Sequence, residues 1–368
     1  MQQGKKLSQE RAFSVPVDLI RTIAIIGVIL LHATNDLTPD SMSQFEIFRW
    51  TAVDVYQSFA RMGVPLFVML TGALLLQPSK DESIRSFLKK RWARIGLPFL
   101  FWGAAYFVWL YFADHQAVTA NTIIQGLFTG PYFQFWYIYM LAGLYLLTPI
   151  LRIVVAHADD QTMKYFIVLW VLGASIMPTV GYFTSYNLGS SVFAIVGWVG
   201  YYILGIYLLT VKIRRSLLVA FTSVGVALAA IGTYFMACSV GGPQQYYFQE
   251  YLSPTMILAS VMFFLLLNTI KMPSFKTAPI QTEADPKPSN PSKPRKLLSL
   301  ISQNTLPIFL LHLMVLYSLQ RGYFGFTING ATINSIIGIP LITVITLFIC
   351  LAIIIPLKKV PGLKKLIG

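Results

Sequence analysis

Apolar segments long enough to cross a bilayer recur along this chain and constrain its fold more than any other feature. Hydrophobic residues make up 56% of the 368 residues and charged residues only 11%, a composition that soluble domains rarely have. A membrane-spanning helix needs about 20 mainly apolar residues. The sequence therefore predicts an all-α fold, a polytopic bundle of about ten transmembrane helices. The predicted spans are 17–37, 53–77, 96–114, 133–152, 163–180, 191–211, 216–238, 253–270, 303–320 and 334–356.

Basic residues set the expected orientation of these spans. Cytoplasmic loops of membrane proteins carry an excess of Lys and Arg. An even number of spans puts both termini on one side, and cytoplasmic termini leave only Arg49, Arg61 and Arg321 for the outer loops. We therefore expect both termini to be cytoplasmic. The net charge of +14 is interpreted as this topology signal, and no nucleic-acid partner is expected.

The composition changes between the eighth and ninth predicted spans. Residues 271–298 are rich in Pro, Ser and Lys, which is typical of a flexible linker, here on the cytoplasmic side. The linker is too short for a domain, so residues 1–368 are expected to form a single membrane domain. Residues 38–52 are expected to form a short outer segment, for which an amphipathic helix lying on the membrane surface is one candidate structure. Cys238 and Cys350 lie far apart and predict neither a disulfide framework nor a metal site.

The first span carries four ionisable residues, Asp18, Arg21, His32 and Asp36. Such residues are costly inside a membrane and are functional candidates. Arg21 and His32 are eleven positions apart, about 1100° around a helix, so they share a face and lie about 16 Å apart along its axis. Asp18 and Asp36 each lie one turn beyond them. We expect a cation near the inner surface and a His32–Asp36 pair towards the outer one.

A histidine beside a carboxylate indicates base chemistry. Nucleotide-binding, metalloprotease and serine-hydrolase motifs are not found in the sequence. Moving an acyl group from a thioester to a hydroxyl requires a base to activate the hydroxyl, and histidine has a suitable pKa range. A neighbouring carboxylate can fix its tautomer. His312, in the ninth span, is either functional or a buried structural histidine.

Several motifs resemble one family. Arg21, ten residues and then His32 resemble the hallmark of the integral-membrane acyltransferase type 3 family. The stretch RMGVPLFVMLTG, which begins at Arg61, and the basic run that ends in Arg91 and Arg94 also resemble it. WYIYMLAGLYLLTP, from Trp136, resembles the branch that modifies surface polysaccharides. Gln134 stands where that branch often has a histidine, so no acid–base role is carried over to this position.

The resemblance implies a membrane O-acyltransferase of the plasma membrane, of the bacterial inner-membrane kind. It would move an acyl group, often acetyl, from cytoplasmic acyl-CoA to a hydroxyl of an extracytoplasmic glycan or glycolipid. Acyl-CoA is a co-substrate, and no permanently bound cofactor is expected. The predicted catalytic residues are His32, which matches the family's motif, and Asp36, which is chosen for its spacing from His32. The predicted acyl-CoA-binding residues are Asp18, Arg21, Lys90, Arg91 and Arg94, and the predicted acceptor-binding residues are Arg61, Trp136, Tyr137 and His312.

Alternatives remain open from the sequence. A transporter or exporter of a glycan or lipid-linked precursor would also have many spans and midplane ionisable residues. Arg91 and Arg94 fit topology and contact with anionic membrane lipids equally well. Trp136 and Tyr137 fit an interfacial aromatic belt. The small residues Gly63 and Gly72 are interpreted as sites of close helix packing.

Overall fold

The computed structural model describes residues 15–34, 44–77, 82–184, 197–240, 242–270, 293–328 and 334–368. These residues form helices and connecting turns, with no strand among them. The α-helices are α1 (Val17–Ala33), α2 (Gln44–Ala60), α3 (Gly63–Leu75), α4 (Ile84–Phe112), α5 (Ala120–Thr129), α6 (Trp136–His157), α7 (Asp160–Val171), α8 (Met177–Phe183), α9 (Gly197–Tyr207), α10 (Arg215–Ser239), α11 (Pro254–Asn268), α12 (Lys293–Gln303), α13 (Thr305–Gln320), α14 (Ser335–Leu357) and α15 (Leu363–Ile367). A π-helical turn, Leu172–Ile176, joins α7 to α8, and 3₁₀ turns occupy Phe133–Phe135, Leu208–Thr210 and Gly242–Gln249.

The predicted class, an all-α polytopic membrane protein, is confirmed. Seven helical segments among the described residues are long and apolar enough to cross a membrane. An eighth is counted if α12 and α13, which meet at 80°, form one broken span. Helix α1 has 17 residues and the apolar segment Gly197–Thr210 is also short, so neither reaches that length. The count of about ten spans and the cytoplasmic termini stay predictions.

Three predicted boundaries differ from the structure. Helix α1 ends at Ala33 instead of residue 37, because Thr34 caps it with its hydroxyl on the Leu31 carbonyl oxygen, 2.6 Å away. Helix α2 begins at Gln44, inside the segment predicted to lie outside the membrane. Helix α12 occupies the last six residues of the predicted linker, 293–298. The remaining linker residues, 271–292, lie outside the described residues.

Close backbone contact joins α1 to the junction of α2 and α3. A Cβ atom on Gly27 would lie 3.1 Å from the Ala60 carbonyl oxygen, and one on Gly63 would lie 2.7 Å from the Ala24 carbonyl oxygen. Glycine allows this approach because it has no side chain. The predicted packing role of Gly63 is thereby confirmed. This crossing brings the end of α1, which carries His32, towards Arg61, which lies between α2 and α3.

The bundle has two chemically different ends. We call the end where α1 begins and α3 and α6 finish the basic end. There, Arg152 Nε donates to the Leu75 carbonyl oxygen at 2.7 Å, which joins α6 to the end of α3. At the opposite end, Arg321 pairs with Asp114. The candidate residues are distributed between these two ends.

Candidate active site

A cavity of about 110 Å³ lies at the basic end, among α1, α3, α4, α6 and α13. Three arginines, Arg21, Arg91 and Arg94, line it together with Tyr137 and Phe309. Helix α4 contributes Arg91 and Arg94 to the lining, and α1 contributes Arg21. The structure therefore brings together three of the five residues predicted to bind acyl-CoA.

Aromatic rings and mutual repulsion shape this arginine cluster. The Arg91 guanidinium lies 5.2 Å from the Phe87 ring centre and 5.9 Å from that of Tyr145, a cation–π arrangement. Its Nε atom is buried and has no hydrogen-bond partner among the described residues. Arg21 and Arg94 lie close enough to repel each other electrostatically. A cavity that concentrates cations in this way favours an anionic ligand.

The other two predicted donor-binding residues, Asp18 and Lys90, do not line this cavity. Asp18 accepts a hydrogen bond of 2.6 Å from the Ser302 hydroxyl, which ties α1 to the end of α12. Lys90 is 65% exposed and pairs with Glu82 at 2.6 Å. The hydrogen bond from Lys90 holds the pKa of the Glu82 carboxyl below its ordinary value. Both residues therefore have structural partners at the margin of the site.

Two histidines from distant segments meet beyond the cavity. The ring centres of His32 and His312 are 5.2 Å apart, with the rings tilted by 35°. The Phe133 ring packs edge-on against His32, with 5.3 Å between the ring centres. His312 is fully buried, and its Nδ1 atom lies 2.6 Å from the Phe309 carbonyl oxygen. The sequence marked each histidine separately, but it gave no sign that α1 and α13 would bring them together.

Phe309 connects the cavity to this histidine pair. Phe309 lines the cavity, and its ring centre lies 5.0 Å from that of Tyr137 and 5.8 Å from that of His312. His32 itself is not a lining residue of the cavity. Tyr137, predicted to bind the acceptor, thus lies on the arginine side of the histidines. A ligand that extended from the cavity to His32 would have to pass Tyr137 and Phe309.

Arg61, between α2 and α3, lies near enough to His32 to interact with it electrostatically and is not a lining residue of the cavity. Its guanidinium lies 5.3 Å from the Tyr251 ring centre, and its Nε atom is buried without a hydrogen-bond partner among the described residues. We call Trp136, Trp198 and Tyr251 the aromatic cluster. The ring centres within it are 5.3 to 6.0 Å apart. Sequence reasoning missed Trp198, whereas Tyr251 belongs to the polar, aromatic stretch 239–252, which composition alone could not assign to an acceptor site.

A buried carboxylate holds the segment that carries Tyr251. Gln249 Nε2 donates to Asp54 Oδ1 at 2.6 Å and to the Ser58 hydroxyl at 3.0 Å. Both Asp54 and Gln249 are buried. These bonds fasten the turn Gly242–Gln249 to the last two turns of α2, just before Arg61, and so keep Tyr251 over the guanidinium. Asp36, the predicted partner of His32, lies outside the described residues.

A comparison with known protein families assigns most of the chain to one family. The family model described as an acyltransferase domain matches residues 16–355, which include every predicted site residue. No curated protein and no solved structure gives a significant match. With its apolar helices, the chain is a multi-pass membrane acyltransferase. It belongs to the acyltransferase type 3 family.

Proposed function

We propose that this acyltransferase moves an acyl group, acetyl in the simplest case, from cytoplasmic acyl-CoA to a hydroxyl of an extracytoplasmic glycan or glycolipid. It would act in a plasma membrane, such as the bacterial inner membrane. The observation that carries the proposal is the position of the arginine-lined cavity, whose Phe309 wall adjoins the His32–His312 pair. The cation-rich cavity and the proposed histidine base thus follow one another along the bundle.

The donor chemistry fits the basic end. Acyl-CoA carries phosphates, and arginine forks bind phosphate oxygens well. The small cavity suits an extended pantetheine arm, while the nucleotide would stay at the mouth near Arg91 and Arg94. Both Arg21 and His32 lie within α1, so they are separated by about 16 Å along its axis. That length suits an arm that carries only the thioester to the histidines.

The proposed transfer is a direct one. His32 takes the proton of the acceptor hydroxyl while the hydroxyl oxygen bonds to the thioester carbonyl carbon. The C–S bond then breaks, and the leaving CoA sulfur takes the proton from the His32 imidazolium. Arg61 would stabilise the oxyanion or hold the acceptor, because its charge acts on His32 and it lies outside the cavity lining.

The acceptor would approach from the opposite end, over the aromatic cluster. Trp136 is 37% exposed there, so an aromatic face is available to a ligand. Aromatic side chains offer rigid apolar area beside polar groups, which suits the mixed surface of a sugar ring. Arg61 adds a donor for hydroxyl or anionic groups. Trp136 and Arg61 therefore keep their predicted acceptor-binding role in this proposal, and Trp198 and Tyr251 join them.

Thiol release from acetyl-CoA by the purified protein tests this proposal. With a glycolipid extract of the source membranes as acceptor, the wild type is expected to release CoA and to label the extract. His32→Ala is expected to lose more than tenfold in rate, about 1.4 kcal/mol in the barrier. The control is His157→Ala, at an exposed histidine whose Nδ1 lies near the Ile153 carbonyl oxygen. No release by the wild type would contradict acetyl-CoA as the donor, and full activity in His32→Ala would remove His32 from the reaction.

A further inference from the structure

The two ring nitrogens of His312 differ in their surroundings: Nδ1 lies against a backbone carbonyl oxygen, and Nε2 has no hydrogen-bond partner among the described residues. A carbonyl oxygen only accepts hydrogen bonds, so Nδ1, 2.6 Å from the Phe309 oxygen, must carry the hydrogen. In the neutral ring Nε2 then carries the lone pair. Nε2 is buried and has no hydrogen-bond partner among the described residues. A buried acceptor without a partner costs free energy, so this one calls for an explanation.

The His32 ring is at the right distance to supply that partner. An N–H···N bond needs about 2.9 Å between the nitrogens, and the two ring radii account for roughly the remaining 2.3 Å of the 5.2 Å between ring centres. No translation of either helix is needed. His312 is tethered to Phe309, so the movement required is a rotation of the His32 ring about its Cβ–Cγ bond, which leaves the ring centre almost in place. The tilt of 35° leaves the ring edges able to face each other.

We propose that His312 is a positioning residue, whose Nε2 accepts a hydrogen bond from a ring N–H of His32. The bond fixes the tautomer of His32 and leaves its other nitrogen with the lone pair that takes the hydroxyl proton. When His32 becomes an imidazolium, the same bond stabilises it, as the carboxylate does in a catalytic triad. The inference rests on the proposed role of His32 as base. It replaces the predicted acceptor-binding role of His312.

This arrangement also ties the histidines to the donor cavity. Phe309 holds His312 through its carbonyl oxygen and also lines the cavity. A donor that packs against the Phe309 ring would therefore contact the residue that sets the His312 orientation. Asp36 is the rival for the orienting role, because it was predicted one turn after His32. The two candidates give opposite results in the following experiments.

Nitrogen NMR of the ring atoms reads the tautomer without any need for activity. The chain has four histidines, and His115→Asn with His157→Asn removes the two exposed ones. Asparagine is suited to position 115, where φ is 52°. At about pH 8.5, roughly two units above the ordinary histidine pKa, both remaining rings are neutral. His32 is expected to show one tautomer, and His312→Asn, which keeps a donor for the Phe309 oxygen, is expected to give a mixture.

An unchanged His32 tautomer in His312→Asn, together with a changed one in Asp36→Asn, would overturn the inference. Should His312→Asn fail to fold, the scalar coupling between ring nitrogens across the proposed bond decides in the otherwise native protein. Its presence supports the bond and its absence overturns it. Neither measurement depends on acyl transfer, so failure of the proposed function would be seen separately, as absence of thiol release.

Kinetics of two amide variants distinguish positioning from a purely structural role. His312→Gln places an amide oxygen near the Nε2 position but lacks the Phe309 bond, whereas His312→Asn keeps that bond and lacks an acceptor at Nε2. We expect kcat to fall at least tenfold further in the Asn variant than in the Gln variant, with KM for acetyl-CoA unchanged in both. The reverse order would show that the Phe309 bond matters and that Nε2 does not.

Discussion

At the scale of single residues, the basic end separates two kinds of cation. Arg91 and Arg94 line the cavity, whereas Lys90, on the same helix, pairs with Glu82 at the surface. Helical spacing places Lys90 and Arg94 on nearly the same face, so periodicity cannot tell them apart. The distinction depends on where the neighbouring helices end. It also provides a matched control for the role of charge in donor binding.

Removal of the cavity charges is expected to weaken binding of acyl-CoA more than it slows the reaction. Arg91→Gln and Arg94→Gln should each raise KM for acetyl-CoA by about 10-fold or more, since a hydrogen bond to a charged group contributes about 1.5–3 kcal/mol. A donor without the 3′-phosphate should show a smaller difference between variant and wild type. Lys90→Gln is the control and should leave KM unchanged. Equal losses with both donors, or the same loss in Lys90→Gln, would show that the arginines serve topology.

The sequence predicted some residue relations and could not predict others. Arg21 and His32 belong to one helix, so their spacing in the sequence is enough to predict their common face and their separation. His32 and His312 are 280 positions apart, and their contact depends on how α13 packs against α1. For the same reason the sequence did not predict that Trp198 and Tyr251 would pack together beside Trp136. Relations within one helix follow from periodicity, but relations between helices need the packing.

At the scale of elements, α3 and α9 make very close backbone contact in the bundle core. A Cβ atom on Gly72 would lie 1.8 Å from the Tyr202 carbonyl oxygen, and one on Gly205 would lie 1.8 Å from the Met69 carbonyl oxygen. The predicted close packing at Gly72 is thus confirmed, while its partner Gly205 was not anticipated. This pair of helices supports the α3 wall of the arginine-lined cavity, to which Phe67 and Thr71 contribute.

Alanine at either of these glycines is expected to destabilise the protein. Gly72→Ala or Gly205→Ala forces backbone apart, and overpacking of this kind costs about 1–3 kcal/mol. The melting temperature in detergent should fall. Gly143→Ala is the control, because no atom outside its own helix lies within 4 Å of its added Cβ and alanine favours helix. Equal melting temperatures for Gly72→Ala and Gly143→Ala would contradict the packing described above.

Element boundaries were the least predictable part of the fold. Apolar composition located the spans, but it did not reveal that α2 begins at Gln44 or that α12 begins at Lys293. Helix α12 is held by tertiary contacts, such as the bond of 3.2 Å from the Thr22 hydroxyl to the Leu298 carbonyl oxygen. The local content of Pro, Ser and Lys carries no information about such contacts. The linker predicted from composition therefore overlaps the first six residues of α12, 293–298.

At the scale of the whole molecule, the candidate groups follow one another from the basic end to the opposite end. The arginine-lined cavity comes first, then Tyr137 and Phe309, then the two histidines, and finally Arg61 with the aromatic cluster. This order suits a donor and an acceptor that enter from different faces of a membrane. The bias of Lys and Arg in the sequence predicted which face is cytoplasmic, and that orientation is what the central proposal requires.

Membrane vesicles of known orientation test this central claim most directly. The vesicles are prepared from the source cells, either inverted or right-side-out, and they retain their own acceptor. Radiolabelled acetyl-CoA, which does not cross the bilayer, is added to the outside of the vesicles. The proposal predicts label in the glycan or glycolipid fraction of inverted vesicles, where the cytoplasmic face is exposed. It predicts almost none in right-side-out vesicles or in either preparation from His32→Ala cells. Equal labelling of right-side-out vesicles, or undiminished labelling with His32→Ala, would contradict it.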